Sequence, residues 1–193
     1  NINNIDFNSK KINNNDLFIA IKGENFDGHI FIDDAILNGA IAIVVSELPA
    51  KLHKDKTYII VKDTAICLPY IAKNFYKNIS KDIKLIGVTG TNGKTSIVSL
   101  LYQLFTLMGE KSGMLSTVQN KIGSLKIDST HTTPDILTIY SLLKKMVDGK
   151  CKYCFMEVSS HSLSQFRVYA IKYKVGIFTN ISHDHLDYHK TFE

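Results

Sequence analysis

Arginine is almost absent from this chain. Of 23 basic residues only Arg167 is an arginine, and the rest are lysines. In a sequence otherwise rich in Ile and Asn this reads as a coding bias. An arginine kept against it suits a task that needs a planar, bidentate guanidinium, with chance retention as the alternative. Cysteine is scarce as well. Cys67, Cys151 and Cys154 form an odd, sparse set, which points to a reduced, cytoplasmic protein. Long apolar runs are missing: the longest purely aliphatic one, Ile41 to Val45, falls far short of the ~20 residues that cross a bilayer. No basic start leads into an apolar stretch and a small-residue cleavage site, so no signal peptide is expected. The first residue is Asn, and the chain is expected to begin inside a longer gene product.

What is present is ordinary globular composition, 45% apolar and 21% charged over 193 residues. That excludes a disordered chain and allows one domain or two small ones. The net charge of +5 favours anionic ligands mildly. The lysines are scattered, however, and form no basic block that would imply nucleic acid.

The apolar pattern predicts a strand at Asp16–Ile21, a helix at Ile30–Leu37 stopped by Asn38-Gly39, and buried strands at Ile41–Val45 and Tyr58–Val61. A helix follows from Thr64, its expected N-cap, to about Tyr76, with Pro69 expected to kink it or delay its start. Polar Asn78–Asp82 reads as a linker, which divides the chain into 1–82 and 83–193. The second part predicts a strand at Leu85–Val88, a Gly-rich turn, and a helix from Lys94 to about Met108 closed by Gly109. Strands are predicted at Met114–Val118, Ile122–Ile127, Tyr153–Val158 and Val175–Thr179, with a helix from Pro134 to Val147 between them. Alternating strands and helices predict an α/β protein: a small α/β unit, then a doubly wound, mostly parallel sheet.

The sharpest motif is GVTGTNGKTS, Gly87 to Ser96, between a predicted strand and a predicted helix. Glycines there let backbone amides line an anion cradle, and the helix start adds positive partial charge. Lys94 is placed to reach the outer phosphates of a nucleotide, and Thr95 to bind Mg²⁺ through its hydroxyl. The spacing Gly90-x-x-Gly93-Lys94-Thr95 is tighter than the usual phosphate loop, since Val88 stands where that loop has its first glycine.

Three polar clusters follow predicted strands or precede helices. THTTPD, 130–135, offers Thr133 as an N-cap with Pro134 at the first helical position, or hydroxyls for an anion. MEVSSHSLSQFRV, 156–168, places Glu157, Ser159, Gln165 and the lone Arg167 beyond a strand's carboxyl end, where open α/β sheets bind ligands. Glu157 there could complete a Mg²⁺ site opened by Thr95. TNISHDHLDYH, 179–189, invites a zinc-hydrolase reading through His183, His185 and Asp187, although the spacing to His189 departs from binuclear zinc hydrolases by one residue. Cys151-x-x-Cys154 precedes a strand, and Cys154 reads as a core residue.

Taken together the motifs resemble the Mur ligase family. GTNGKTS is similar to the family's ATP loop, and THTTPD, MEVSSHSLSQFRV and FTNISHDHLDYHKTFE are similar to motifs of its diamino-acid-adding branch. The N-terminal stretch from Phe7 to Val45 resembles the branch's uridine-nucleotide domain, with Asn8-Ser9-Lys10 where that domain usually has Asp-Ser-Arg. The resemblance implies that Phe7, Ser9, Glu24, Asn25 and Phe26 hold the UDP end of UDP-MurNAc-L-Ala-D-Glu. Thr132, Thr133, Ser159, Gln165 and Arg167 would hold its muramoyl-dipeptide end. It implies ATP on Gly90, Thr91, Asn92, Gly93, Lys94, Thr95 and Ser96, and Mg²⁺ on Thr95, Glu157 and His185. Lys94, Glu157 and His185 would then serve the chemistry. The family's carbamylated lysine and its amino-acid-binding domain would lie past Glu193, so this chain reads as an N-terminal fragment, inactive alone. A zinc hydrolase and a non-catalytic nucleotide-binding module are the readings that compete.

Overall fold

The computed structural model describes residues 1–23, 26–129 and 131–191, with the side chain of Asp187 outside the description. The chain forms two compact units, Asn1–Phe75 and Tyr76–Glu193.

The first unit holds β1 (Ile5–Asp6), β2 (Asp16–Ile19), α1 (Ile32–Leu37), β3 (Ala40–Val45), β4 (Thr57–Ile60) and α2 (Thr64–Phe75). Its four strands pair in chain order, all parallel. Phe18, Ala20, Ile43 and Val45 pack with Ile32 and Ala35 of α1. Every residue of β2 is buried, as a parallel strand covered on both faces requires. Two expectations need correction here. Tyr58–Val61 is not a buried strand: β4 is an edge, with Ile60 61% exposed, because strand position and not β-branching decides burial. Thr64 is not the cap of α2. Asp63 is, its carboxylate accepting the amides of Ala65 at 2.8 Å and Ile66 at 3.0 Å. Pro69 sits inside α2 without delaying its start. β1, only two residues long, carries no readable period.

The second unit opens with a 3-10 turn at Ile79–Lys81 in the stretch read as a linker. Ser80 there is buried, and its hydroxyl accepts the amide of Lys172 at 3.4 Å. The unit continues with β5 (Lys84–Thr89), α3 (Lys94–Leu107), β6 (Ser112–Leu115), β7 (Asn120–Ile122), β8 (Leu125–Ile127), α4 (Ile136–Asp148), β9 (Tyr153–Glu157), α5 (Ser160–Ser164), β10 (Val175–Phe178) and α6 (Leu186–His189). The sheet order is β10-β5-β9-β6-β7-β8, with the first four strands parallel. The stretch predicted as one strand, Ile122–Ile127, is instead the antiparallel hairpin of β7 and β8, turning at Gly123 with φ +56°.

Alternation along the strands sends side chains to two cores. Ile86, Val88, Met114 and Phe155 meet Val98 and Tyr102 of α3 on one face. Leu85, Leu115, Cys154 and Met156 meet Ile139, Leu142, Leu143 and Met146 of α4 on the other. The sheet is therefore doubly wound. Cys154 is a core strand residue, fully buried, and its thiol is pushed strongly upward by burial. Among the described residues no helix is long and apolar enough to cross a membrane.

Chain order in this sheet creates one special place. From β5 the chain passes over β9 to reach β6, whereas from β9 it passes over β5 to reach β10. The two neighbours send their connections in opposite directions, which opens a crevice at their carboxyl ends.

Candidate nucleotide and metal site

The loop after β5 enters that crevice. Gly90 has φ +134° and Gly93, the N-cap of α3, has φ +87°. A Cβ on Gly90 would run into the Thr179 hydroxyl and the Asn180 backbone, so both conformation and crowding demand glycine there. The Lys94 ammonium folds back on its own loop, donating to the carbonyls of Gly90 at 2.6 Å and Thr91 at 2.9 Å.

The segment after β10 braces the loop from outside. Thr91 donates its amide to the Asn180 carbonyl at 3.0 Å, and its hydroxyl accepts the amide of Ser182 at 2.9 Å. The Asn92 carbonyl accepts the Thr179 hydroxyl at 2.7 Å and the Asn180 side chain at 3.0 Å. Sequence reasoning gave Thr179, Asn180 and Ser182 no role. Their only sequence signal was their place at and just past the end of the predicted strand Val175–Thr179.

Glu157 ends β9 and is 1% exposed. Its Oε1 accepts the Thr117 amide at 2.9 Å. Its Oε2 accepts the hydroxyls of Thr95 at 3.0 Å and Thr117 at 3.1 Å. Thr117, just past β6, was also missed, since one threonine after a strand carries no motif. The Glu157 carbonyl accepts the Thr133 hydroxyl at 2.9 Å, and that hydroxyl in turn accepts the Ser159 amide at 3.0 Å. Thr133 is thus not an N-cap. Asp135 caps α4, accepting the amides of Leu137 and Thr138, both at 3.0 Å. Pro134 precedes the cap instead of opening the helix. Arg167 donates to the Thr133 carbonyl at 3.1 Å.

These groups share a cavity of about 450 Å³, lined by Lys94, Thr95, Thr117, Thr132, Thr133, Glu157, Ser159, Arg167 and His185 among others. Thr91, Asn92 and Gly93 line it too. Gly90 joins Lys94, Ser159 and His185 around an adjoining cavity of about 280 Å³. Ser96 and Gln165 line neither. Gln165 donates to the Tyr188 hydroxyl at 3.1 Å.

In the first unit, the Ser9 carbonyl accepts the Asn38 side chain at 2.9 Å, Phe7 is half-buried and Phe26 is 73% exposed. Glu24 and Asn25 lie outside the described residues, as does Thr130.

The oxygen donors fit magnesium. Thr95 Oγ1, in the first turn of α3, and Glu157 Oε2, at the end of β9, are hard oxygen donors 3.0 Å apart. Zinc has no such support. His185 lies edge-on to His161, ring centroids 4.6 Å apart, but among the described residues no three His, Cys, Asp or Glu side chains are grouped to hold a metal.

Family models agree with this architecture. Residues 88–193 match the Mur ligase middle domain, and residues 1–76 match the model described as Mur ligase family, catalytic domain. The chain belongs to the Mur ligase family. It is 51% identical to the UDP-N-acetylmuramoyl-L-alanyl-D-glutamate–2,6-diaminopimelate ligase of Cytophaga hutchinsonii, over 97% of this chain and 39% of that protein. The ligase of the same name from Parabacteroides distasonis is 48% identical, over 100% of this chain and 40% of that protein. The chain therefore spans well under half the length of these curated relatives. Among solved structures, a UDP-N-acetylmuramoyl-L-alanyl-D-glutamate–2,6-diaminopimelate ligase superposes with a TM-score of 0.82 at 24% identity, covering 98% of this chain and 38% of that one. The MurF ligase of Thermotoga maritima in complex with ADP gives 0.63 at 24% identity, covering 98% and 40%. Both show the shared fold.

Proposed function

We propose that this chain is the N-terminal part of a cytoplasmic ATP-dependent ligase of peptidoglycan precursor synthesis. The whole protein would add 2,6-diaminopimelate to UDP-MurNAc-L-Ala-D-Glu. The observation that carries the reading is the 3.0 Å contact between the Thr95 hydroxyl and the buried Glu157 carboxylate, beside Lys94 and over the cavity that Thr132, Thr133, Ser159 and Arg167 also line. The names of the relatives supply the substrates and the choice of diaminopimelate over lysine.

In this reading 83–193 binds ATP and the dipeptide end, and 1–82 binds the UDP end through Phe7, Ser9, Glu24, Asn25 and Phe26. The γ-phosphoryl group of ATP passes to the D-Glu γ-carboxylate, giving an acyl phosphate and ADP. The diamino acid's amine then displaces phosphate to form the amide. Lys94 and the loop amides of Gly90 to Ser96 neutralise charge on the transferred group. Arg167, through its planar fork, orients an anionic part of the acceptor. Thr95 and Glu157, with His185 nearby, would hold Mg²⁺, which shields the phosphate charges when bound. The catalytic work is mainly positioning, and residues past this chain complete it.

The test is phosphate release by the full-length protein given ATP, Mg²⁺ and UDP-MurNAc-L-Ala-D-Glu, with meso-diaminopimelate or L-lysine added in turn. Release that needs the UDP substrate and diaminopimelate, and that vanishes in Lys94→Ala, is the expected result. Release with lysine alone would change the acceptor. No release from folded, Mg²⁺-replete protein would overturn the reading.

A further inference from the structure

We propose that Thr117 is a positioning residue, the link through which the acceptor side of the cavity holds the Glu157 carboxylate in place for a metal-bound nucleotide. The proposal rests on the function proposed above and adds to it a residue that no motif marks.

Thr117 stands where β6 ends, and its backbone is fixed from below. The buried Ser116 hydroxyl donates to the Gln119 carbonyl at 2.9 Å and accepts the Gln119 amide at 3.3 Å, closing a tight turn around Thr117. From that turn Thr117 reaches both oxygens of one carboxylate. Its amide serves Glu157 Oε1 at 2.9 Å, and its hydroxyl serves Oε2 at 3.1 Å. Two bonds from one residue define the plane of the carboxylate as well as its position.

The hydroxyl also lies 3.1 Å from the Thr132 hydroxyl. A hydroxyl has one proton to donate, and a carboxylate offers only acceptors. The bonds therefore run one way: Thr132 donates to Thr117, and Thr117 donates to Glu157. Thr132 belongs to the segment assigned to the muramoyl dipeptide, and Glu157 to the metal. Thr95 is the other hydroxyl on Oε2, and a bound metal would compete for it. Thr117 has no such competing demand, so it is the group that keeps Glu157 aimed when the nucleotide is in place. Partners of this kind, touching a ligand and not the metal, typically govern metal affinity by ten- to a hundredfold.

The test uses full-length protein, ADP and Mn²⁺, with Mn²⁺ binding read by electron paramagnetic resonance so that no turnover is involved. Thr117→Val keeps shape and amide but deletes the hydroxyl. It is expected to weaken Mn²⁺ binding about tenfold or more, whereas Thr117→Ser restores it. Thr132→Val is expected to weaken binding by a smaller factor, and the double variant to bind no worse than Thr117→Val, since both changes cut one chain. Melting temperatures check that each variant folds, and Thr117→Ala deletes the same hydroxyl should Val prove too bulky. Wild-type affinity in folded Thr117→Val or Thr117→Ala would overturn the proposal while leaving the ligase reading intact. Absence of Mn²⁺–ADP binding in the wild type would overturn both.

Discussion

Asn92 and Asn180 are joined as a closed pair: the Asn180 side-chain oxygen accepts the Asn92 amide at 3.0 Å, and its side-chain nitrogen donates to the Asn92 carbonyl at 3.0 Å. The side chain does for the loop what a neighbouring strand would do, satisfying donor and acceptor of one residue at once. Asn180→Ala should therefore loosen the loop. Both bonds are solvent-exposed, so the stability loss should stay near about 1 kcal/mol, with a clear fall in ADP affinity by calorimetry. Asn180→Asp keeps the acceptor but turns a carboxylate oxygen toward the Asn92 carbonyl, and should bind ADP more weakly than Asn180→Ala. The reverse order would mean that the pair does not shape the loop.

Gly90 and Gly93 should differ on substitution although both have positive φ. An alanine at Gly90 adds backbone strain to a collision with Thr179 and Asn180, whereas a Cβ on Gly93 meets nothing within 4 Å. Strain of this type costs about 1–3 kcal/mol at either position. Gly90→Ala should exceed that and abolish nucleotide binding, while Gly93→Ala should retain measurable binding. Urea denaturation and ADP titration of the two variants would separate them.

Thr133→Val should be more damaging than its size suggests. The hydroxyl is buried, donates to Glu157 and accepts from Ser159. Valine fills the same space but leaves the Ser159 amide and the Glu157 carbonyl facing a methyl group, a loss of about 1–3 kcal/mol for each buried group left unsatisfied. Chemical denaturation measures it. A change below about 0.5 kcal/mol would show that water reaches the two groups.

Acid should weaken the first unit through Asp27. Its carboxyl is held below the ordinary value first by the His29 backbone amide and then by the His29 ring, whose Nδ1 lies 2.6 Å away. A depressed folded-state value means that the unfolded chain takes up the proton first as pH falls. The contribution is fully present above the unfolded value near about 4, and is lost as pH drops through the lower, folded one. Wild type should thus melt above Asp27→Asn at pH 7, with the gap closing toward pH 2. A gap independent of pH would contradict the assignment.

Much of this fold can be read from local pattern. β2, β3, β5 and β9 are short apolar runs, α4 shows helical spacing, and the loop from Gly90 to Thr95 has its glycines and Lys-Thr at fixed offsets. What escapes local reading depends on which strands are neighbours. Thr117 reaches Glu157 because β6 lies beside β9, and Asn180 reaches Asn92 because β10 lies beside β5. Neither adjacency leaves a trace within ten residues of sequence. Thr133 misled for a related reason. A threonine before a proline fits an N-cap, but the cap went to Asp135 because Thr133 was drawn inward by the end of β9.

The lysine that folds back on its own loop has a kinetic meaning. Lys94 bridges the carbonyls of Gly90 and Thr91, so the loop's ordering entropy has already been lost when the chain folds. A phosphate that takes over the ammonium exchanges one set of oxygens for another and need not assemble a coil. Association should then resemble insertion into a finished mould, fast and with a small entropic penalty. The barrier of the encounter would lie in releasing two carbonyls, not in shaping the loop.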